Sequence, residues 1–415
     1  MLREPKLIAA ARRGRRAAAT RPALLFYCQH SLGIGHLTRS FALAAALLEY
    51  FHVVFLNGGR LPPGVPVPRG VELIDLPALG MDDGHTVISR DATLDVAQAQ
   101  DRRRALIAGA VRKCRPAVLL VELFPFGRKK FAGEILSMIR LARRQPGRPA
   151  LVACSLRDIL VDARPDQQQH DDRARGLAER YFDVVLVHAD PSLARLEESF
   201  HPRRALRVPV HYTGYVVPAR AGRPDDPRGE HLLLSAGGGI VGDALFRTVL
   251  QARERMHRPL PLRVIAGPFL PEPQWRSLQQ ALRGVAGVEL ERQVPDMVAE
   301  MRRARASISQ CGYNTALDIL VAQVPALVVP YATSTENEQS VRASRLAALG
   351  AIRQVSAADL DPRQMIGEID ALLTFTPRAA ALNLDGAAHS ARRLLELHAQ
   401  AGRAVANGSA TCAPV

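Results

Sequence analysis

Short apolar runs alternate with longer periodic segments along most of the chain. The first two runs are residues 23–28 (ALLFYC) and 52–56 (HVVFL), and between them apolar side chains recur at helical spacing at Leu37, Phe41 and Ala44. Short apolar runs bounded by turn residues predict buried strands, whereas the 3.6-residue period predicts helices. Strands that alternate with helices in this way predict an α/β fold built on parallel sheets.

The alternation continues to the end of the chain and is interrupted once, by a segment rich in proline, glycine and charge. Further strands are expected at 71–76, 117–121, 150–154 and 184–188 before it, and at 232–235, 262–266, 288–290, 306–309 and 326–329 after it, and helices at 37–50, 91–113 and 385–400. We therefore expect two doubly wound, Rossmann-like domains facing across a cleft. The predicted parts are a disordered basic tail (1–22), a first domain (23–217), a linker (218–230), a second domain (231–400) and a frayed tail (401–415).

Composition agrees with a globular protein of two domains. The chain has 415 residues, of which 47% are hydrophobic and 23% charged, and this length suits two cores of roughly 200 residues each. Neither a membrane-spanning run nor a secretory signal is evident, which predicts a cytoplasmic protein. The five cysteines are scattered, with no CxxC pair. They indicate reduced thiols rather than a structural zinc site.

The net charge of +15 is the unusual bulk property. One interpretation is an arginine-rich composition with solvated faces. The other is attraction of anions such as nucleotide phosphates, a lipid diphosphate or an acidic membrane surface. Aromatic residues make up only 5% of the chain and are not interleaved with a basic stripe. This argues against nucleic acid as a partner.

Two glycine loops stand in equivalent places, each after the first strand of its half. The first reads Ser31-Leu-Gly33-Ile-Gly35-His36, and the second is Gly237-Gly238-Gly239, followed by an expected helix at Ile240. Glycine permits positive φ and close approach of a ligand to the main chain, and a helix start presents unpaired N–H groups. The pattern predicts phosphate cradles, although a tight turn without a ligand would give the same sequence.

A dinucleotide-dependent dehydrogenase is disfavoured on two counts. The first loop lacks the third glycine of GxGxxG, and the second strand ends at Asn57. A nicotinamide dinucleotide site would place an acid there to bind the ribose hydroxyls.

The most specific segment is residues 309–331 (SQCGYNTALDILVAQVPALVVPY), which continues to Glu336-Asn-Glu338-Gln339. It resembles the donor-binding half of GT-B glycosyltransferases, particularly the MurG-like family with its family 28 C-terminal domain. The loop Gly33-Ile-Gly35-His36 is similar to the glycine–histidine loop of that family's acceptor domain. The resemblance covers residues 23–400 and is strongest over 231–355.

The resemblance implies a donor site at the strand ends of the second domain. Its predicted residues are Gly237, Gly238, Gly239, Gly267, Val294, Gln310, Gly312, Asn314, Thr315, Asp318, Glu338 and Gln339. Asp318 would bind the ribose hydroxyls, where the family usually has Glu, and Val294 would lie at the nucleobase. Asp318 could instead stabilise the helix dipole. Glu338 could complete a capping box that begins at Thr335.

The resemblance places the acceptor on the first domain, with His36 as candidate general base. Imidazole suits proton removal near neutrality, and Glu122 and Asp158 are alternative bases. Predicted acceptor contacts are Gly33, Gly35, Arg128 and Arg157. His36 could instead cap its helix or bind phosphate, and Glu122 could pair with Arg128.

These features predict a metal-independent, inverting glycosyltransferase that needs no cofactor. It would move a sugar from a nucleoside-diphosphate sugar, with UDP the default, to a saccharide hydroxyl or a lipid-linked phosphate acceptor. The basic and aromatic loop at 124–131 favours peripheral contact with the inner face of the membrane. The alternatives are a nucleotide-sugar 2-epimerase, which needs no acceptor, and a non-catalytic nucleotide-sugar-binding subunit.

Overall fold

A computed structural model describes residues 21–30, 35–62, 65–82, 86–145, 150–162, 164–218, 228–333 and 336–409. Most of the predicted basic tail and linker, and the predicted acceptor residue Gly33, lie outside the described residues.

The first half of the chain forms a seven-stranded parallel sheet and a small antiparallel hairpin. Its strands are β1 (Ala23–Cys28), β2 (His52–Asn57), β3 (Glu72–Asp75), β4 (Leu79–Met81), β5 (Val87–Ser89), β6 (Val118–Glu122), β7 (Leu151–Arg157), β8 (Val184–His188) and β9 (Val210–Tyr212). The sheet order is β3-β2-β1-β6-β7-β8-β9, and β4 pairs with β5 as the hairpin. The helices are α1 (Gly35–Leu47), α2 (Val96–Cys114), α3 (Ala132–Arg143) and α4 (Gln167–Tyr181).

The second half forms a six-stranded parallel sheet in the order β12-β11-β10-β13-β14-β15. Its strands are β10 (Leu232–Ser235), β11 (Leu262–Ile265), β12 (Val288–Glu291), β13 (Ala306–Ser309), β14 (Ala326–Val328) and β15 (Arg353–Gln354). Its helices are α5 (Asp243–Arg255), α6 (Glu272–Leu282), α7 (Met297–Arg303), α8 (Tyr313–Ala322), α9 (Glu338–Ala348) and α10 (Pro362–Thr374). Helix α5 begins at Asp243, three residues after the predicted start at Ile240, so a turn separates the triple glycine from the helix.

The apolar strands explain both sheets. In β1 and β6 every residue after Ala23 is buried, because helices cover both faces of a doubly wound sheet and leave no polar side. The strand order reverses next to β1 and next to β10, which places a crevice at the carboxyl edge of each sheet. The predicted α/β class and the pair of parallel sheets are confirmed.

The last helix, α11 (Gly386–Ser409), returns to the first sheet. Ala391 and Leu394 are fully buried in the core cluster that contains β1 and α1, and α11 packs along α1. The predicted second domain, 231–400, included most of this helix, and the predicted frayed tail began at 401. Helix α11 packs on the first half because Ala391 and Leu394 are buried against β1 and α1, and it continues as a helix to Ser409.

The two halves are packed together over a shared apolar core. One cluster of buried side chains contains Leu25 and Val121 of the first sheet as well as Leu233 and Val328 of the second. In the part of the chain that the structure describes, no helix is long and apolar enough to cross a membrane.

Candidate functional site

Helices α1 and α8 begin beside each other where the two sheets face. Each follows the central strand region of its own sheet, and Asn314 Nδ2 donates to the Gly35 carbonyl oxygen across the boundary at 3.3 Å. Gly312 is the N-cap of α8, in extended backbone. Two helix starts that meet in this way bring several unpaired backbone N–H groups to one place, which favours an anionic ligand.

His36 and Glu122 form a close pair at the start of α1. His36 Nδ1 lies 2.5 Å from Glu122 Oε1, and Arg39 Nη2 donates to the same oxygen at 2.6 Å. Arg128 Nη2 lies 3.5 Å from the other oxygen, Oε2. Glu122 is fully buried, while 17% of the His36 side chain stays exposed. The acid is thus enclosed by three cationic or polar partners, and the imidazole remains partly exposed.

The charges around this pair fix its protonation. Burial alone raises the pKa of Glu122, but His36, Arg128 and Arg39 together bring it well below its usual range. Burial lowers the pKa of His36 to about 3. The negative charge of Glu122 raises this pKa, but the positive charges of Arg128 and Arg39 oppose that effect. At neutral pH the imidazole is therefore neutral. Since Nδ1–H donates a hydrogen bond to the Glu122 carboxylate, Nε2 is unprotonated and carries the lone pair that a general base needs.

Asp158, the third predicted catalytic carboxylate, is held in a different way. It is fully buried and receives Arg342 Nε at 2.8 Å and Arg342 Nη2 at 2.9 Å, one on each carboxylate oxygen. Burial raises its pKa, but Arg342 outweighs that effect and lowers it below the usual value. Arg342 also donates to the Cys311 carbonyl oxygen at 2.9 Å. Asp158 therefore links β7 to α9 across the two halves.

A second ion pair of opposite polarity lies beside it. Arg157 Nη1 donates to Glu338 Oε1 at 3.1 Å, and both side chains are at least four-fifths buried. Glu338 and Arg342 are four residues apart on α9, so they share one face of the helix. The predicted donor residue Glu338 and the predicted acceptor residue Arg157 are thus brought together by the structure.

The same face of α9 makes two more contacts with the first half. Asn337 Nδ2 donates to Asp162 Oδ1 at 2.9 Å, and Arg345 Nη1 donates to Glu198 Oε2 at 2.7 Å. The helix that carries the predicted sugar-binding residues is therefore docked along its length on the first half.

The glycine loops of the second sheet approach each other closely. Gly237, Gly239 and Gly267 have φ values of +55°, +91° and +97°. A Cβ at Gly267 would lie 2.5 Å from the backbone of Gly238 and Gly239. Side chains are excluded on both conformational and steric grounds. A cradle of bare backbone results, as the triple glycine predicts.

The remaining predicted donor residues line or brace this region. Gln310 Nε2 donates to the Val241 carbonyl oxygen at 2.8 Å, and Gln339 Oε1 accepts from both Cys311 N and Tyr331 N at 3.1 Å. Gln339 thus ties together the loops after β13 and β14.

The last three predicted donor residues lie around α8 and the loop after β12. Thr315 Oγ1 would lie 3.4 Å from a Cβ at Gly237, so α8 touches the triple glycine. Asp318 stands in the second turn of α8 and is 9% exposed, while Val294 is half-buried in the loop after β12. Thr315 therefore borders the cradle, and the assignment of all three residues to the donor stays a prediction.

The motif analysis missed four residues that the site uses: Arg39, Tyr313, Arg342 and His30. Arg39 and Arg342 lie three and four residues after His36 and Glu338, so helical spacing was the available signal. His30 is buried and its Nε2 lies 3.0 Å from Asn57 Oδ1. The local sequence does not predict that contact, because it joins the ends of β1 and β2, which are distant along the chain.

Among the described residues, no group of histidine, cysteine and acidic side chains is arranged to hold a metal ion. Two surface cavities lie away from the site. One, of about 380 Å³, lies between α2 and α3, and the other, of about 360 Å³, lies behind α8.

Comparison with known proteins identifies one domain and the fold. Residues 241–397 match the glycosyltransferase family 28 C-terminal domain. The two parallel sheets have the GT-B fold of solved glycosyltransferase structures. The solved structures that the chain resembles include the calicheamicin glycosyltransferase CalG4 (18% identity, TM-score 0.54, 95% of this chain and 100% of that one). Another is the MurG of Acinetobacter baumannii (15% identity, TM-score 0.54, 90% and 100%).

Curated relatives of this glycosyltransferase are UDP-N-acetylglucosamine–N-acetylmuramyl-(pentapeptide) pyrophosphoryl-undecaprenol N-acetylglucosamine transferases. The one from Halorhodospira halophila is 26% identical over 339 residues, covering 79% of this chain and 83% of that protein. The one from Methylobacterium radiotolerans is 27% identical over 240 residues, covering 54% of this chain and 61% of that protein. The sequence-based predictions of the GT-B fold and of a family 28 C-terminal domain are confirmed.

Proposed function

We propose that this glycosyltransferase moves a sugar from a UDP-sugar to an acceptor hydroxyl, with His36 as general base and Glu122 as its orienting partner. The observation that carries the assignment is the 2.5 Å contact from His36 Nδ1 to Glu122 Oε1. Because Nδ1 is bonded to this partner, Nε2 is the ring nitrogen left to accept a proton. The family 28 domain and the names of the relatives support a UDP-sugar as the donor. The contact between His36 and Glu122 supports His36 as the base.

The reaction balances with these groups alone. His36 Nε2 takes the acceptor proton as the acceptor oxygen attacks the anomeric carbon, and the bond from that carbon to the β-phosphate oxygen breaks. UDP leaves with the bonding electrons. In this proposal the N–H groups at the start of α8 and the bare backbone of Gly237–Gly239 stabilise the charge that builds on the diphosphate. Attack opposite the leaving group inverts the anomeric configuration.

The acceptor is proposed to be lipid-linked, as the relatives' names indicate for those enzymes. The cavity between α2 and α3 supports a membrane-facing side. Its floor is Ile107, Met138 and Leu141, and Arg104 and Arg140 lie at its rim. An apolar floor with a cationic rim fits an anionic lipid surface.

The epimerase alternative is not favoured. It would need carboxylates free to work around the sugar. Asp158 is bonded through both oxygens to Arg342, and Glu338 is paired with Arg157. Glu122 is enclosed behind His36.

The test is transfer and release of UDP from a panel of UDP-sugars, with UDP affinity measured by calorimetry on the same samples. His36→Gln is expected to lower kcat by about 10²–10⁴-fold with UDP affinity unchanged, and Glu122→Gln to act in the same direction. His52→Gln, at a histidine whose side chain is 50% exposed, is the matched control. A His36→Gln protein with wild-type turnover would remove the proposed base.

A further inference from the structure

Tyr313, the first residue of α8, contacts two buried arginines, one from each half of the protein. The Arg39 guanidinium carbon is 5.2 Å from its ring centroid, and that of Arg342 is 5.9 Å away. Arg39 belongs to α1 of the acceptor half and Arg342 to α9 of the donor half. Cations at these distances are attracted to the ring face, and more strongly where water is excluded. Tyr313 is itself 7% exposed.

The hydroxyl of Tyr313 fixes the ring in place from the far side. It donates to the His188 carbonyl oxygen at 3.1 Å and accepts from Val216 N at 3.3 Å. Both backbone groups belong to the acceptor half, and Val216 forms an isolated bridge with Asp385, where the chain crosses back to that half. The first turn of the donor helix is thus anchored at the point where the chain passes between the halves.

Arg39 connects the Tyr313 ring to the pair formed by His36 and Glu122. Its Nη2 donates at 2.6 Å to the same Glu122 oxygen that His36 Nδ1 contacts. The charged and titratable groups that face His36 are Glu122, Arg39 and Arg128, with Cys28 Sγ 4.0 Å from the His36 carbonyl oxygen. Arg39 is the only one of them that also contacts the donor half through a described ring contact.

We propose that Tyr313 is a positioning residue that holds Arg39 against Glu122 and so couples the seating of the donor helix to the readiness of the His36 base. This inference rests on the proposed function of His36. It assigns Tyr313 no contact with substrate. Without the ring, Arg39 loses the described contact that holds its guanidinium from the second half and can move away from the carboxylate. Glu122 would then be compensated by Arg128 alone and would favour a protonated imidazole.

The sign of the effect follows from the charges. Arg39 is positive and lowers the pKa of His36, so moving it away raises that pKa. Because the pKa of His36 starts at about 3, a rise of about one unit leaves the imidazole neutral at pH 7, so the coupling is measured as a shift of the His36 titration itself. A residue that only fills space would change stability without moving this titration.

The experiment is a histidine side-chain NMR titration of the full chain, with His36→Gln used to assign the resonance. Tyr313→Leu is expected to raise the His36 pKa by about one unit or more, a tenfold change in proton affinity. Tyr313→Phe, which keeps the ring between the arginines, is expected to leave it unchanged. The same variants are assayed for UDP affinity, which should stay within about threefold, as Tyr313 is assigned no ligand contact.

Tyr181→Leu is the matched control. That ring also lies against two arginines, Arg140 at 5.7 Å and Arg180 at 5.4 Å, on the outer face of the first half. It is expected to leave the His36 titration at its wild-type position. Should Tyr313→Leu fail to fold, Tyr313→Met and Arg39→Gln test the same link.

A folded Tyr313→Leu or Arg39→Gln protein with an unmoved His36 pKa overturns the proposal. The titration needs no substrate. A shifted pKa in a protein that transfers no sugar therefore refutes the proposed function while supporting the positioning role.

Discussion

Arg342 donates two parallel hydrogen bonds to Asp158, at 2.8 and 2.9 Å, and both residues are at most 2% exposed. The pair joins α9 of the donor half to the end of β7 in the acceptor half. Next to it Arg157 and Glu338 form the reversed pair. Two adjacent residues at the end of β7, one basic and one acidic, thus pair with an acidic and a basic residue one turn apart on α9. Sliding α9 by one turn would place like charges together.

Asp158→Asn is expected to destabilise the protein by about 3–5 kcal/mol, because it leaves the Arg342 charge buried without its partner. Urea unfolding followed by circular dichroism measures the change. Glu198→Gln removes the exposed pair with Arg345 on the same face of α9 and is expected to cost at most about 1 kcal/mol. Equal effects from the two variants would contradict the structural role of Asp158.

Gly267→Ala is expected to destabilise the second half and to abolish UDP binding. Its Cβ would lie 2.5 Å from the backbone of Gly238 and Gly239, with φ at +97°. Gly284→Ala is the matched control, since φ there is +77° and nothing lies within 4 Å of the added atom. Both variants carry left-handed strain of about 1 kcal/mol or more. Calorimetric UDP titration separates them: Gly284→Ala should bind as the wild type does.

Asp318→Ala is expected to weaken UDP binding about tenfold, a loss of about 1.4 kcal/mol, if the side chain contacts the ribose. The residue is 9% exposed in the second turn of α8. Asp370→Ala, at an exposed aspartate of α10, changes the same residue type in a helix away from the site. Equal UDP affinities for the two variants would show that Asp318 serves its helix alone.

Stability is expected to fall as pH decreases from about 6.5 towards 3, in part through His188. This side chain is fully buried between Ser155, whose Oγ is 2.7 Å from Nε2, and Thr213, whose Oγ1 is 3.0 Å from Nδ1. Burial lowers its pKa to about 3. Between the two pKa values the unfolded chain binds a proton that the folded chain does not, so unfolding becomes easier as pH falls.

The measurement is the free energy of unfolding at several pH values between 7.5 and 4.5. His188→Gln should reduce the slope by up to about 1.4 kcal/mol per pH unit. His52→Gln, at a half-exposed histidine, should leave the slope as in the wild type. A His188→Gln protein with the wild-type slope would mean that His188 is protonated in the folded state.

The strands were predictable because the sequence encodes them locally. The runs at Ala23–Cys28, Leu232–Ser235 and Ala306–Ser309 were expected at the bounds that the structure shows. Apolar side chains enclosed on both faces leave no other interpretation. The hairpin of β4 and β5 was missed because each strand has only three residues, too few to show an alternating pattern.

The site was predictable only where a residue stands in a motif. His36 and the glycines follow strands and could be found from the sequence. The pairing of His36 with Glu122 joins residues 86 positions apart, and that of Asp158 with Arg342 joins residues 184 positions apart. Such contacts depend on how the two sheets are placed, which no local pattern records.

The return of α11 to the first sheet changes how the two halves are related along the chain. The polypeptide leaves the acceptor half near Val216 and re-enters it at Asp385, and these two residues form a β-bridge. Gly386 N also donates to the Tyr215 carbonyl oxygen at 2.9 Å. The second half is therefore an insertion whose entry and exit lie side by side. Replacing it between these two positions would leave every strand of the first sheet uncut.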